Sequence, residues 1–276
     1  MPPRIRLLDR VVDIAPDLAA GDLFDILYRH LITQAPADAR LEFERNAPAL
    51  PAVKLTGERG LHVRCSLSPG ADPRVEAHRL LLESTLGGAP NHCVLHAGAV
   101  AAGGRALLIL GESWAGKTSL VEVFLQRGFA LLSDDYAPVQ ISDLRIVPFP
   151  RALGRRAGAP AAGAPPLLAR DWVDPGALAK LAGFPVPVGA IAILGEASAA
   201  CPPGSLRPLA AAQSLNQLLA ALRNPGGGRG DPAESGARPT PEQVACLAAL
   251  AASVPAARLA RGPLEAMARA AAGLLG

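Results

Sequence analysis

The sequence predicts an α/β fold organised around a phosphate-binding loop, and three observations predict it. Ala106–Leu110 (ALLIL) is a short apolar run of strand character. Gly111–Thr118 (GESWAGKT) follows at once and fits the Walker A pattern of G-x-x-x-x-G-K-[ST]. Thr118–Arg127 then carries Leu120, Val121, Val123 and Phe124 at helical spacing, and the next apolar run, FALLS, ends in Asp134-Asp135.

The loop's residue types suit a polyanion. Gly111 and Gly116 let the backbone curl so that its N–H groups point inward at phosphate oxygens. The helix starting near Lys117 adds the partial positive charge of its N-terminus. The expected nucleotide-binding residues are therefore Gly111, Glu112, Ser113, Trp114, Ala115, Gly116, Lys117, Thr118 and Ser119. Lys117 is placed to reach the β- and γ-phosphates of ATP, and the Thr118 hydroxyl to ligate Mg²⁺. Charge-assisted hydrogen bonds are worth roughly 1.5–3 kcal/mol each, so a few of them reach micromolar affinity, about 8 kcal/mol.

Asp134-Asp135 stands at the end of a buried strand, where open α/β sheets hold ligands. Adjacent carboxylates repel unless a cation or a shared proton relieves them. The pair reads as a metal-binding and base position, and a Mg²⁺ on the triphosphate would supply that relief. A surface turn is the plainer reading of such a pair; the apolar run ahead of it and the nearby loop argue against that reading.

Composition sets outer bounds. The chain has 276 residues, half of them hydrophobic, enough for a substantial core in one large domain or two unequal ones. A net charge of +3 with no dense Lys/Arg run gives no case for nucleic acid, and aromatics at 4% provide no stacking platform for bases. Cys65, Cys93, Cys201 and Cys246 are scattered without a C-x-x-C and read as reduced thiols. Prolines and charges interrupt every long apolar run, so no membrane partner is expected, and the chain reads as cytoplasmic. A homo-oligomer is left open.

Residues 1–70 read as a small β-rich region and 71–276 as the phosphate-loop domain. Ile5–Ile14 is expected as one strand, Asp22–Ile32 as a helix or a strand, and Ala39–Arg45 and Leu61–Leu67 as strands from their alternation. Asp72-Pro73 opens a helix to about Leu86. Cys93–Ala101 and Arg105–Leu110 around Gly103-Gly104 form a hairpin. That places His96 on a strand beside the loop strand; a lone histidine there is ordinarily a core residue, and its position gives it a second, functional reading. Ile141–Val147 is a further strand, followed by Arg151, Arg155 and Arg156 after a P-F-P turn. Arg151 is the one expected to meet charge on a transferring phosphoryl group. The Ala/Gly/Pro-rich stretch 157–166 reads as a lid or acceptor loop and 224–239 as disordered, its Arg-Gly-Asp at 229–231 a coincidence. Val188–Gly195 is a strand, Ser214–Arg223 a helix, and Thr240–Gln243 a capping box opening a helix to about Ala252. A last helix spans about Pro263–Leu275.

The block from Leu95 to about Arg151 resembles the HPr kinase/phosphorylase family, in particular HPr-kinase-related proteins that accompany peptide-modifying systems such as lasso peptide synthesis. The shared order is a histidine, a Gly turn, the phosphate loop, a helix ending in Arg127-Gly128, and a strand ending in Asp134-Asp135. The resemblance implies an HPr kinase/PEP carboxykinase-like α/β fold. It also implies transfer of the γ-phosphoryl of ATP, with Mg²⁺, to a Ser hydroxyl on a peptide or protein such as a lasso precursor. It gives Lys117, His96, Asp134 and Asp135 catalytic roles, with Asp135 as the base and Thr118 and Asp134 at the metal. Two departures stand out. Trp114 replaces a small loop residue, and the family's later Arg/Gly signature has only LGRRAG (Leu153–Gly158) as counterpart. Phosphorolysis and HPr itself are therefore not carried over. Two alternatives stay open: a kinase for a small hydroxyl compound such as free serine, and a non-catalytic nucleotide-binding regulator.

Overall fold

The structure is a computed structural model that describes residues 3–19, 23–45, 50–58, 61–156, 167–168, 170–199, 201–224 and 238–276. The expected lid stretch and the Arg-Gly-Asp lie outside the described residues.

The N-terminal segment is a five-stranded sheet in chain order: β1 (Arg4–Leu7), β2 (Arg10–Ile14), β3 (Ala39–Glu44), β4 (Ala52–Gly57) and β5 (His62–Ser66). Ile5–Ile14 is thus a hairpin, not one strand. Leu8 takes a left-handed φ of 55° and Asp9 follows, so the chain reverses and Leu7 pairs with Arg10. The apolar run had masked the turn. Asp22–Ile32 resolves as a helix, α2 (Leu23–Tyr28), behind the one-turn α1 (Pro16–Ala19). Helix α3 (Pro73–Leu86) starts as predicted, the Asp72 carboxylate accepting from Arg74 N at 2.8 Å. Ala77, Leu80 and Leu81 of α3, Phe24 and Leu27 of α2, and Ile5, Leu41 and Leu55 of the sheet form one buried cluster.

The main sheet comprises β6 (His92–Leu95), β7 (Gly98–Ala102), β8 (Arg105–Leu110), β9 (Ala130–Ser133), β10 (Ala137–Gln140), β11 (Arg145–Ile146), β14 (Val186–Gly195), β15 (Leu206–Pro208) and β16 (Ala256–Ala260). A separate ribbon pairs β12 (Leu153–Arg156) with β13 (Arg170–Val173). Strands β8, β14 and β16 are parallel, whereas β7 lies antiparallel between β8 and β9. Strands β8 and β9 therefore point the same way. Their C-terminal ends and the N-terminal end of β7 share one rim of the sheet, and every expected chemical group except Arg151 leaves a strand at that rim.

Two expected strands are broken. Cys93–Ala101 splits at His96-Ala97, β6 pairing with β10 and β7 with β8 and β9. His96 thus sits in the break and not on a strand. Ile141–Val147 splits too: residues 141–144 turn between β10 and β11, with Leu144 at a φ of 58° and Asp143 accepting from Arg145 N.

Helices cover both faces. Helix α4 (Lys117–Gln126) and α7 (Leu264–Ala272) pack Leu120, Phe124, Met267 and Ala271 against Leu107 and Ile109. Helix α5 (Ala211–Ala221) and α6 (Pro241–Ser253) pack Leu218, Leu247 and Leu250 against Leu108, Leu110 and Ile191. Thr240 and Gln243 form the expected capping box of α6. Asn224 departs from the expected disorder. It is buried, accepts from Val94 N at 2.9 Å and donates to His92 O at 2.8 Å, pinning the end of the α5 segment to β6. No helix among the described residues is long and apolar enough to cross a membrane.

Candidate active site

Strand β8 delivers its loop straight to the rim. Gly111 sits at a φ of +156°, and a Cβ there would lie 3.0 Å from Leu194 Cβ and 3.1 Å from Ala115 Cβ. Gly116 takes φ +94° as the N-cap of α4, with open space where a Cβ would stand and no side chain capping the helix. The first-turn amides of α4, which have no intrahelical acceptors, are thus left to a ligand. Ser113 and Ser119 are exposed, as is Glu112, while Ala115 is buried. Trp114 is left-handed (φ 75°) and 64% exposed at the loop's tip, its carbonyl accepting from Arg261 Nη2 at 3.2 Å. Arg261, which follows β16, also pairs with Glu196, which follows β14, at 2.8 Å. Sequence reading gave no sign of this brace because its partners lie far apart in the chain.

Lys117 is buried at 7% exposure and folds back over its own loop. Its ammonium donates to Gly111 O at 2.9 Å and Glu112 O at 3.0 Å, and lies 3.0 Å from His96 Nε2. The other ring nitrogen of His96, Nδ1, is 2.9 Å from Asp135 Oδ1. An ammonium has no lone pair to offer, so Nε2 must accept and Nδ1 must carry the proton donated to Asp135. His96 N in turn donates to Ala221 O at 2.7 Å, which holds the break between β6 and β7.

The two aspartates face different partners. Thr118 Oγ1 donates to Asp134 Oδ2 at 2.9 Å, whereas Asp135 meets His96. Asp135 adopts a φ of 84°, an uncommon conformation for a residue with a Cβ, and this turns consecutive carboxylates toward different neighbours. Their protonation diverges as well. Burial pushes the Asp134 carboxyl up to about 7, neighbouring Asp135 adding to the rise against the Thr118 hydrogen bond. Burial also acts to raise Asp135, but the His96 hydrogen bond and the Arg151 charge outweigh it and hold the carboxyl at about 2. Burial lowers the Lys117 ammonium, opposed by Asp135 and Asp134.

The donor set fits a magnesium ion shared with a phosphate. Thr118 and Asp134 supply hard oxygen ligands, and the buried Asp134 carboxylate makes no ion pair among the described residues. Among the described residues no cluster of three or more His, Cys, Asp and Glu is placed to hold a metal by itself. That suits an ion which takes its remaining ligands from substrate phosphates and water.

Arg151 is not on a solvated loop. It is 3% exposed, and its guanidinium lies over the rings of Tyr28 (5.5 Å) and Tyr136 (5.4 Å). Tyr28 Oη in turn lies 2.8 Å from His78 Nδ1 of α3. The sequence offered no signal for Tyr28, His78 or Tyr136. Arg155 is exposed and pairs with Glu122 of α4 at 2.8 Å.

No family model matches the chain, and no curated protein matches it. Among solved structures it is similar to the Hpr(Ser) kinase/phosphatase from Coxiella burnetii, at a TM-score of 0.33 and 13% identity, over 65% of this chain and 88% of that one. Likeness at that level carries no functional argument; the chain is an α/β protein in which the loop 111–118, His96 and the pair Asp134-Asp135 gather on one sheet rim.

Proposed function

We propose that the chain is an ATP-dependent kinase that transfers the γ-phosphoryl group to a hydroxyl acceptor, a Ser side chain on a peptide or protein, in the cytoplasm where ATP is available. The observation that carries the reading is the link from phosphate loop to acid: Lys117, His96 and Asp135 joined by contacts of 3.0 and 2.9 Å. A loop that only bound nucleotide would have no use for an ionised aspartate tied to its lysine.

The roles follow from the contacts. The loop amides and Lys117 bind the triphosphate, the lysine leaving its own carbonyls for phosphate oxygens. Thr118 and Asp134 hold Mg²⁺, which when bound neutralises charge on the phosphates. Asp135 is ionised at any working pH, accepts the hydrogen bond of the acceptor hydroxyl and takes its proton as the new bond to the γ-phosphorus forms and the bond to ADP breaks. The loose transition state of phosphoryl transfer asks more for positioning than for a strong base, so a carboxylate held at about 2 is adequate. His96 fixes that carboxylate and keeps Lys117 aligned with it. A precursor peptide of the lasso type is the acceptor suggested by the resemblance.

Incubating the full chain with Mg²⁺, γ-labelled ATP and Ser-containing peptides tests the reading. Label on peptide is expected, and Asp135→Asn should keep ATP binding while lowering transfer by about 10²–10⁴-fold. Unchanged transfer by that variant would remove Asp135 from the chemistry. Label on free serine alone would move the acceptor to a small molecule, and binding without transfer would leave a regulator.

A further inference from the structure

The least satisfied cation in the described structure is Arg151. Its Nε and Nη1 are buried and make no hydrogen bond, and it forms no ion pair among the described residues. Two aromatic faces compensate the charge only in part, and a buried guanidinium without an anion is strongly destabilising. Such a group is kept where a ligand supplies the missing acceptor.

Its surroundings say which ligand. The cage is assembled from Tyr28 of α2, His78 of α3 beneath it, and Tyr136 just beyond the acid pair. None of these belongs to the phosphate loop. Asp135 touches His96, and the charge of Arg151 bears on both Asp135 and Asp134. Arg170 of β13 bears on Asp135 and on His78. The direct contacts of the Arg151 guanidinium are with Tyr28 and Tyr136, not with the 111–118 loop.

We infer that Arg151, caged by Tyr28 and Tyr136, anchors an oxyanionic group, a carboxylate or a phosphate, that the acceptor carries near its reacting hydroxyl. The word acceptor rests on the kinase reading; the anion site does not. The phosphoryl-stabilising role expected of Arg151 is replaced by one on the acceptor. The planar fork of donors matches two oxygens of such a group, and the distance from Arg151 to Asp135 then sets how far the hydroxyl stands from the anion.

The test is the melting temperature of the full chain in formate, in inorganic phosphate and in chloride at matched ionic strength. It is read with and without Mg²⁺ and a non-hydrolysable ATP analogue, for wild type, Lys117→Met, Arg151→Met and Arg151→Lys. Formate or phosphate is expected to raise the midpoint by about 3 °C at saturating concentration. The rise should persist in Lys117→Met and in wild type already filled with the analogue, and should vanish in both Arg151 variants. Whichever anion gives the Arg151-dependent rise identifies the acceptor group as carboxylate or phosphate. A rise lost in Lys117→Met but kept without Arg151, a rise abolished by the analogue, or no rise at all would overturn the inference. If the Arg151 variants do not fold, persistence or loss of the rise in analogue-filled wild type decides. An analogue that itself leaves the wild-type midpoint unmoved would sink the kinase reading, while the anion comparison among the variants would still stand.

Discussion

His96 Nδ1–H donates a hydrogen bond to the carboxylate of Asp135 at 2.9 Å, and this contact keeps a half-buried acid ionised. Burial alone would have favoured the neutral form. The histidine is therefore a positioning residue whose loss should be visible without substrate.

In His96→Phe the Asp135 carboxyl should rise from about 2 toward or above its ordinary 3.8. A carboxyl depressed in the folded state contributes stability above its unfolded value, and that contribution is lost as pH falls through the folded value. Without the histidine the contribution disappears, so the midpoint of acid unfolding should move to higher pH. Circular dichroism across pH 2–6 reads it; an unmoved acid limb would remove the assigned link.

Asp134 has the opposite sign. Its carboxyl sits near 7 in the folded protein against an ordinary 3.8, so the folded state binds the extra proton and stability from this group falls as pH rises from about 4 to 7. Asparagine keeps the acceptor oxygen for Thr118 and has no charge to bury. Asp134→Asn should therefore raise the metal-free melting temperature at pH 8, by the equivalent of at least about 1 kcal/mol, and leave it nearly unchanged at pH 4. Equal effects at both values would contradict the placement of the proton.

Lys117→Met removes the ammonium that bridges loop and histidine. Nucleotide–Mg²⁺ affinity should fall by at least about 100-fold, on the scale of one lost charge-assisted contact of about 3 kcal/mol. Calorimetric titration with the non-hydrolysable analogue measures it, and retained affinity would place nucleotide elsewhere.

Gly98 opens β7 beside His96, and a Cβ there would stand 2.7 Å from Val121 Cγ2 of α4. Gly98→Ala should push the helix off the sheet and cost about 1–3 kcal/mol of overpacking. Denaturant titration checks the cost. Val121→Ala in the same chain should recover part of it, and no recovery would mean the clash is relieved by other movements.

What could be read from the sequence was what local patterns encode. The loop, the helix after it and the acid pair are contiguous, and their spacing already specifies strand, turn and helix. The start of α3 and the capping box of α6 were legible for the same reason. Runs of apolar residues concealed reversals: Leu8 and Leu144 adopt left-handed conformations that their neighbours' hydrophobicity does not announce. The Ala-rich strand β16 went unseen because alanine carries little β signal. The sequence neighbours of Arg151 place it beside a turn. Its burial depends on Tyr28 and Tyr136, and on a sheet packing that no short window contains.

The histidine, the loop and both aspartates all come from the uninterrupted run His96–Asp135, a hairpin with a helix and a strand appended. Segments that close short loops reach their native arrangement sooner than those that must gather remote pieces of chain. The tyrosine–arginine–tyrosine stack is of the second kind, because α2 lies far upstream of Arg151. On refolding, then, the capacity to take up nucleotide should return first, and competence toward the second substrate should lag behind it as a separate, slower phase.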